Sequence, residues 1–261
     1  AEEPAKAAYL HVVSGSVQMQ TWGTDVFFDI TSDVVVMQGD SIRTSSDAKI
    51  IVEFFDGTLM RIDGDSDTVF EAINDSSKNP EINLNLVAGN VWFNKVYKGT
   101  GDTAIEVNAG AILVHSNQAG IFEVEAGDQE VVRVFEVFEN EGLLVDIMSE
   151  AEDKVVESEN VGVGQEVVFS SSVLDRYWKY QSPNVLSAVA DDFKLGDWYV
   201  WNKTEDSQPT VFEKYASEEG MGFRVVEPES VADEEASVDA DGAGDVVGDS
   251  DDDEADDGAE V

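Results

Sequence analysis

Alternating carboxylates near the end of the chain are the residues of this sequence best suited to bind a metal ion. They recur at short intervals beside glycines that allow a sharp turn: Asp239, Asp241, Asp245, Asp249, Asp251 and Asp253. Calcium takes roughly six to eight oxygen ligands from flexible segments, and this spacing can supply them. The pattern predicts a calcium site, with weak nonspecific cation binding by a solvated acidic tail as the alternative.

A cluster of aromatic residues is the second candidate site. Trp198, Tyr199 and Trp201 follow each other closely, and Trp178 precedes them. Such rings can stack on sugars, so the cluster is a candidate ligand-binding site for a polysaccharide. The alternative is that these rings pack a C-terminal segment against the main domain as an apolar clamp.

Catalytic motifs are missing from the sequence. It contains no cysteine and only two histidines, His11 and His115, which fall on different predicted strands. No Ser-His-Asp order, phosphate-binding loop or dinucleotide motif occurs. No pair stands out for glycoside hydrolysis among the 56 acidic residues. We therefore expect a noncatalytic protein, with calcium as its only candidate cofactor.

Charge limits the choice of partners. The chain carries 56 acidic and 15 basic residues, for a formal net charge of −41. From Val226 onward there are 16 acidic residues and no basic one, so the rest of the chain is acidic too. A field of this sign repels nucleic acid and anionic membranes and attracts cations. We exclude nucleic-acid binding and expect cations among the partners.

The sequence predicts that the protein is exported. No apolar run is long enough to cross a bilayer, so no transmembrane segment is predicted. The chain begins AEEPAKAAY, as it would after cleavage of a signal peptide behind a small residue. We expect the protein outside the cytoplasm: extracellular, at the cell surface or in the periplasm.

Short β-type runs with turns between them fill residues 9–170. Their spacing of about eight to twelve residues, without a helical period, predicts an all-β domain. Asp56-Gly57 lies between two alternating segments and signals a hairpin. A two-residue loop would pair Val52 with Arg61. A three-residue loop, with Gly57 left-handed, would instead pair Val52 with Met60 and is the better prediction.

The same region resembles the FecR domain family. The residues that carry the resemblance are Gly39-Asp40, Ile42, Thr44, Ala48, Phe54-Phe55-Asp56-Gly57-Thr58 and Arg61-Ile62-Asp63. The resemblance covers roughly residues 9–170. It implies a bacterial all-β module with a β-sandwich, jelly-roll-like or double-wound β-helix fold, known from periplasmic signalling proteins and exported proteins. The spacing of the tail carboxylates is similar to the calcium repeats of thrombospondin type 3.

Four segments follow from these patterns. Residues 1–8 are a flexible lead, 9–170 the β-domain, 171–225 a short helical and aromatic appendage, and 226–261 an acidic low-complexity tail. In the appendage, Ser170 to Ser172 predict the start of one helix. A second helix is predicted from Asn184, with Leu186 on its apolar face and Gly196 at its end.

These observations favour a structural or protein-interaction module at the cell surface or in an extracellular assembly. Other copies of the chain, through exposed strand edges, or other surface proteins are the expected partners. Two alternatives stay open. One is a signal-receiving periplasmic module, as the family resemblance implies, and the other is a surface polysaccharide-binding protein.

Overall fold

Alternating apolar residues form seventeen β-strands in the computed structural model, which describes residues 8–75, 79–95, 103–137, 142–151 and 154–207. All of these residues belong to the unit Ala1–Gly222. The strands are β1 (Ala8–Ser14), β2 (Val17–Gln20), β3 (Phe28–Ile30), β4 (Val34–Val36), β5 (Ser41–Thr44), β6 (Lys49–Glu53), β7 (Leu59–Ile62), β8 (Asp67–Asn74), β9 (Glu81–Lys95), β10 (Ala104–Ala109), β11 (Ile112–Ser116), β12 (Gly120–Ala126), β13 (Glu130–Val137), β14 (Leu143–Met148), β15 (Val155–Val161), β16 (Gln165–Phe169) and β17 (Leu186–Ala188).

The strands form two sheets that share β9. Sheet A has the order β4-β1-β6-β7-β9-β12-β13-β16-β17. Sheet B has the order β3-β2-β5-β8-β9-β10-β11-β14-β15. The first half of β9 pairs within sheet B and the second half, from Gly89, within sheet A. Among the strands described, the β9–β10 pairing alone is parallel.

The core lies between the two sheets. Alternate residues of each strand point inward, as the two-residue period of a strand requires. One hydrophobic cluster takes residues from both sheets, including Phe93 and Phe122 of sheet A and Phe70 and Leu84 of sheet B. The prediction of an all-β fold is confirmed, and the architecture is a sandwich of two sheets.

The register of the β6–β7 hairpin agrees with the three-residue loop. Val52 pairs with Met60, and the backbone N–H of Phe54 donates to the carbonyl of Thr58. Gly57 has φ +83°, a left-handed conformation that glycine adopts without steric cost. The alternative register, which pairs Val52 with Arg61, is wrong.

The segment after β16 contains three helices: α1 (Ser171–Trp178), α2 (Asp191–Lys194) and α3 (Asp197–Asp206). The predicted start of α1 is confirmed, since Ser170 is its N-cap residue. The predicted start of a second helix at Asn184 is wrong, because Leu186 lies in β17, where it pairs with Val167 at the edge of sheet A. Only the last part of the predicted helix forms, as α2, and Gly196 lies directly after its C-cap residue Leu195 and before α3. Backbone pairing with β16 outweighs the local helical spacing here.

Residues 208–261 lie outside the described residues, and with them the predicted calcium ligands, Asp239 to Asp253. None of the helices in the described ranges is long and apolar enough to cross a lipid bilayer.

Candidate functional site

The outward face of sheet A carries a row of side chains in which most are polar or charged. Strand register places one residue from each of seven neighbouring strands in this row: His11, Ile51, Arg61, Trp92, Glu123, Arg133 and Glu166. Their neighbours in sequence, such as Met60 and Ile62, face the core on the opposite side. Arg61, Trp92 and Glu123 are at most 1% exposed, so something covers the middle of this face.

Helices α2 and α3 supply the cover. The ring of Tyr199 lies 5.9 Å from that of Trp92 and 5.5 Å from that of Phe135. Trp92 and Phe135 stack with centroids 4.4 Å apart, and Phe193 of α2 stacks on Phe135 at 6.1 Å. Aromatic pairs at these distances contribute about 0.5–1.5 kcal/mol each beyond the area they bury.

One end of α3 is held by a buried ion pair. Arg61 Nη1 donates to Asp206 Oδ1 at 2.5 Å, and their side chains are 1% and 6% exposed. Asn94 donates to the same oxygen at 2.8 Å, and Asn202 Oδ1 accepts from Arg61 at 3.4 Å. Arg61 Nε and Asp206 Oδ2 have no hydrogen-bond partner among the described residues. This ion pair therefore ties the helix to β7 and β9 through partly satisfied groups.

A charge cluster around Arg133 holds α2 and the residue before it. Its guanidinium donates to Glu123, Glu125 and Glu166, each at 3.0 Å. It also lies over the ring of Phe193, with its central carbon 4.0 Å from the ring centroid. Glu166 Oε1 in turn accepts from the backbone N–H of Ala190 at 3.2 Å, just before α2.

Glu123 is the most strongly perturbed group of this cluster. Burial raises the pKa of Glu123 from 4.5 to about 7, against the opposing effect of Arg133. Its two oxygens accept from Arg133 and from the indole N–H of Trp198, the latter at 2.9 Å. Burial alone would lower the pKa of Arg133, but Glu123 and Glu125 outweigh it and raise that pKa. The cluster thus holds three carboxylates on one guanidinium.

Chemically, this face is a docking surface for the helices. Its carboxylates are engaged by donors on both sides, and Glu123 is closed to solvent. Among the residues that the structure describes, no three side chains of His, Cys, Asp or Glu come together as a metal site. The arrangement fixes α2 and α3 to sheet A.

The three aromatic residues predicted to bind a ligand take part in this docking. Trp198 donates to Glu123, and Tyr199 packs on Trp92 and Phe135. Trp201 lies 5.4 Å from Trp198, and the ammonium of Lys49 lies 4.8 Å from a ring of Trp201. Carbohydrate binding by these rings stays a prediction.

The two histidines lie on different sheets. His11 of sheet A contacts Asp33 at 2.7 Å, whereas His115 of sheet B lies between Glu106 and Asp146 at 3.2 and 3.0 Å. His115 also lines a cavity of about 350 Å³ at one end of the sandwich, together with Phe122. The histidines do not share a site.

A second candidate site is an exposed hydrophobic surface at the edge of the sandwich formed by β3 and β4. We call it the β3–β4 edge. Seven of the fourteen large hydrophobic side chains exposed in the described residues belong to the first four strands and their connections: Tyr9, Val13, Trp22, Val26, Phe28, Val35 and Met37. Trp22 is the most exposed of these seven, at 79%. The sequence reasoning missed it, although a tryptophan in the turn between two short strands is a signal that could have found it.

Asp40 holds this edge in place. It is 3% exposed, and its two carboxylate oxygens accept from the backbone N–H groups of Trp22, at 3.0 Å, and Met37, at 2.8 Å. The ring of Trp22 lies on Gly39, where an added Cβ would stand 2.3 Å from Trp22 Cδ1. The Gly39-Asp40 pair of the sequence motif therefore joins two loops and fixes the position of an exposed tryptophan.

Comparison with known proteins shows that part of the chain is similar to one family. Residues 40–141 match the family model described as FecR protein. No curated protein matches the chain. Two crystal structures of a proposed anti-sigma factor from Parabacteroides distasonis ATCC 8503, at 1.65 and 2.50 Å resolution, are similar to it.

The first structure is 14% identical with a TM-score of 0.41, and the match covers 60% of this chain and 63% of that one. The second is also 14% identical, with a TM-score of 0.39 and coverage of 57% and 59%. This chain thus spans less than two thirds of the length of either. The family resemblance noted in the sequence is confirmed for residues 40–141, which match this family model.

Proposed function

We propose that this chain is a noncatalytic protein-interaction module of an exported protein. The observation that carries the proposal is the gathering of exposed hydrophobic side chains at the β3–β4 edge, with Trp22 at 79% exposure. Exposed apolar patches of this kind mark protein-binding surfaces. Aromatic residues held in one position are frequent anchors of such interfaces.

The hydrogen bonds that occupy Glu123 on the outward face of sheet A support a noncatalytic role. A carboxyl group with a pKa near 7 in a cleft is a common general acid or base. Glu123 has such a pKa but no cleft, since Trp198 and Arg133 occupy both of its oxygens and its side chain is fully buried. Its perturbed pKa is explained by its place under α3.

A signal-receiving module is the second candidate, and the FecR family match over residues 40–141 favours it. This rests on the family alone, since one fold can serve many functions. Both candidates place the chain at the outer side of the cytoplasmic membrane or beyond it. Both also require a protein partner, so the interaction function is common to them.

The charge of the chain favours a different protein as the partner over a second copy. At a net charge of −41, two copies repel each other at low ionic strength. Calcium bound by the acidic tail, Asp239 to Asp253, would weaken this repulsion, and we keep a calcium-dependent self-association as part of the proposal.

Cross-linking of the chain at its natural abundance in intact cells tests the proposed function. We expect one protein to be recovered repeatedly, and the purified pair to form a complex of fixed stoichiometry by size-exclusion chromatography with light scattering. A chain that is recovered free of any partner under every growth condition would contradict the proposal. Turnover of a substrate by the purified chain would contradict its noncatalytic part.

A further inference from the structure

We propose that the β3–β4 edge binds an extended segment of a partner protein in which basic and apolar side chains alternate. This inference rests on the proposed interaction function and adds the surface and the chemistry of the partner. Three independent features of the edge support it: a fixed tryptophan, open strand backbones and a one-sided charge.

The first feature is the way in which Trp22 is presented. Asp40 anchors its backbone, and Gly39 supports its ring, so the side chain is already ordered before a partner arrives. An ordered side chain loses little conformational freedom on binding, which is what gives aromatic anchors their affinity. Met37 is 44% exposed, and its backbone N–H shares Asp40 with that of Trp22. Val26 and Phe28, in the segment that follows Trp22, are 69% and 45% exposed.

The second feature is the pair of short edge strands. β3 pairs only with β2, and β4 only with β1, among the strands that the structure describes. Each therefore has one side whose backbone groups do not take part in a ladder. An extended peptide can add to such a side by main-chain hydrogen bonds, with alternate side chains facing the protein.

The third feature is charge. No lysine or arginine occurs between residues 8 and 42, whereas Asp25, Asp29 and Asp33 are all exposed there. The nearest guanidinium along the chain, Arg43, lies over the ring of Phe27 and is paired with Asp67 at 2.8 Å. The edge therefore attracts a cationic segment and repels a second copy of itself.

A peptide titration of the full chain tests this inference. The probe is a ten-residue peptide that alternates Lys and Val, with peptides alternating Glu and Val or Lys and Ser as comparisons. Backbone amide NMR signals report where each peptide binds, which separates the edge from nonspecific binding of lysine by the acidic tail. We expect shifts in β3, β4 and the indole of Trp22 with the Lys-Val peptide only.

Substitutions separate the contributions of Trp22 and of the three aspartates to peptide binding. Trp22→Ser should weaken binding at the edge at least about tenfold, as loss of an anchor residue does. The triple variant Asp25→Asn, Asp29→Asn, Asp33→Asn should weaken it and reduce its dependence on salt. Leu195→Ser is the matched control, since Leu195 is also 79% exposed but lies after α2; it should bind as the unsubstituted chain does.

Shifts confined to the tail, or equal binding by the Trp22→Ser and Leu195→Ser variants, would overturn the inference. So would equal binding of the Glu-Val peptide. A natural partner whose binding is unaffected by Trp22→Ser would also overturn it, but would leave the proposed interaction function intact.

Discussion

Trp198 donates its indole N–H to Oε1 of Glu123 at 2.9 Å, across 75 residues of sequence. This hydrogen bond joins α3 to the centre of sheet A at a carboxyl group that is fully buried. The attachment of the C-terminal helices is therefore linked to the protonation of one glutamate.

Stability should fall as pH rises from about 4.5 to about 7. Burial raises the pKa of Glu123 to about 7 from an ordinary 4.5, so in this window the folded chain binds a proton that the unfolded chain has lost. The contribution is fully present below pH 4.5 and is lost by about pH 7, and it is on the order of 3 kcal/mol. Urea unfolding at a series of pH values measures it.

Glu123→Gln should reduce this slope. A smaller slope of the same sign should remain, because burial also raises the pKa values of Asp63 and Glu130. Glu71→Gln, at an exposed position of β8, is the control and should leave the profile unchanged. Identical profiles for the Glu123→Gln variant and the unsubstituted chain would contradict the assignment.

Breaking the buried ion pair should detach the end of α3. Arg61→Met or Asp206→Ala leaves one charge buried without its partner, which costs about 3–5 kcal/mol. The double variant should lose less than the sum of the single variants, because neither charge remains. Hydrogen exchange should accelerate in 197–206 before it does in β7.

Arg43→Met provides the comparison for that experiment. Its side chain is 53% exposed and its pair with Asp67 is partly solvated, so its loss should cost no more than about 1 kcal/mol. If the Arg43 and Arg61 variants were equally stable, the contact of α3 with sheet A would not depend on the ion pair.

Replacing Tyr180 with glycine should stabilise the chain by about 1 kcal/mol. Tyr180 follows α1 with φ +56°, a left-handed conformation that disfavours side chains, and it is 82% exposed, so its ring contributes little packing. Tyr180→Ala is the matched control, since it removes the ring but keeps the strain, and it should give no such gain. Thermal unfolding compares the two, and an equal gain would show that the ring matters and the conformation does not.

Gly39→Ala should displace Trp22. Its φ is +89° and the new Cβ would stand 2.3 Å from Trp22 Cδ1, so both strain and a clash result. Gly23→Ala separates the two effects, because Gly23 has φ +79° but nothing within 4 Å of an added Cβ. We expect a loss of about 1–2 kcal/mol for Gly23→Ala and more for Gly39→Ala. Only Gly39→Ala should shift the NMR signal of the Trp22 indole; an unmoved signal would count against the fixed position of Trp22.

Calcium should change the association state of the full chain if the acidic tail binds it. Replacing the six predicted ligands with asparagine should abolish the response, because amide oxygens carry no charge to hold the ion. These ligands are Asp239, Asp241, Asp245, Asp249, Asp251 and Asp253. Light scattering during a calcium titration measures the mass. A response that survives these substitutions would place calcium elsewhere, and no response in the unsubstituted chain would remove calcium from the proposal.

Local patterns were sufficient for much of the fold. The all-β class followed from short alternating runs, and the β6–β7 register followed from one left-handed glycine and the facing side chains, all within a few residues of each other. Local spacing was misleading at Leu186, where the open edge of β16 offered backbone pairing that a helix could not match.

Neighbouring residues and overall totals are enough to predict the strands, the hairpin register, the FecR resemblance and the acidic field. The folded chain was needed to show that Asp206 neutralises Arg61 from 145 residues away and that Trp198 covers Glu123. It was also needed to show that Trp22 is exposed whereas Trp92 is buried. Such pairings depend on which faces meet after the sheets form, and local spacing holds no record of that.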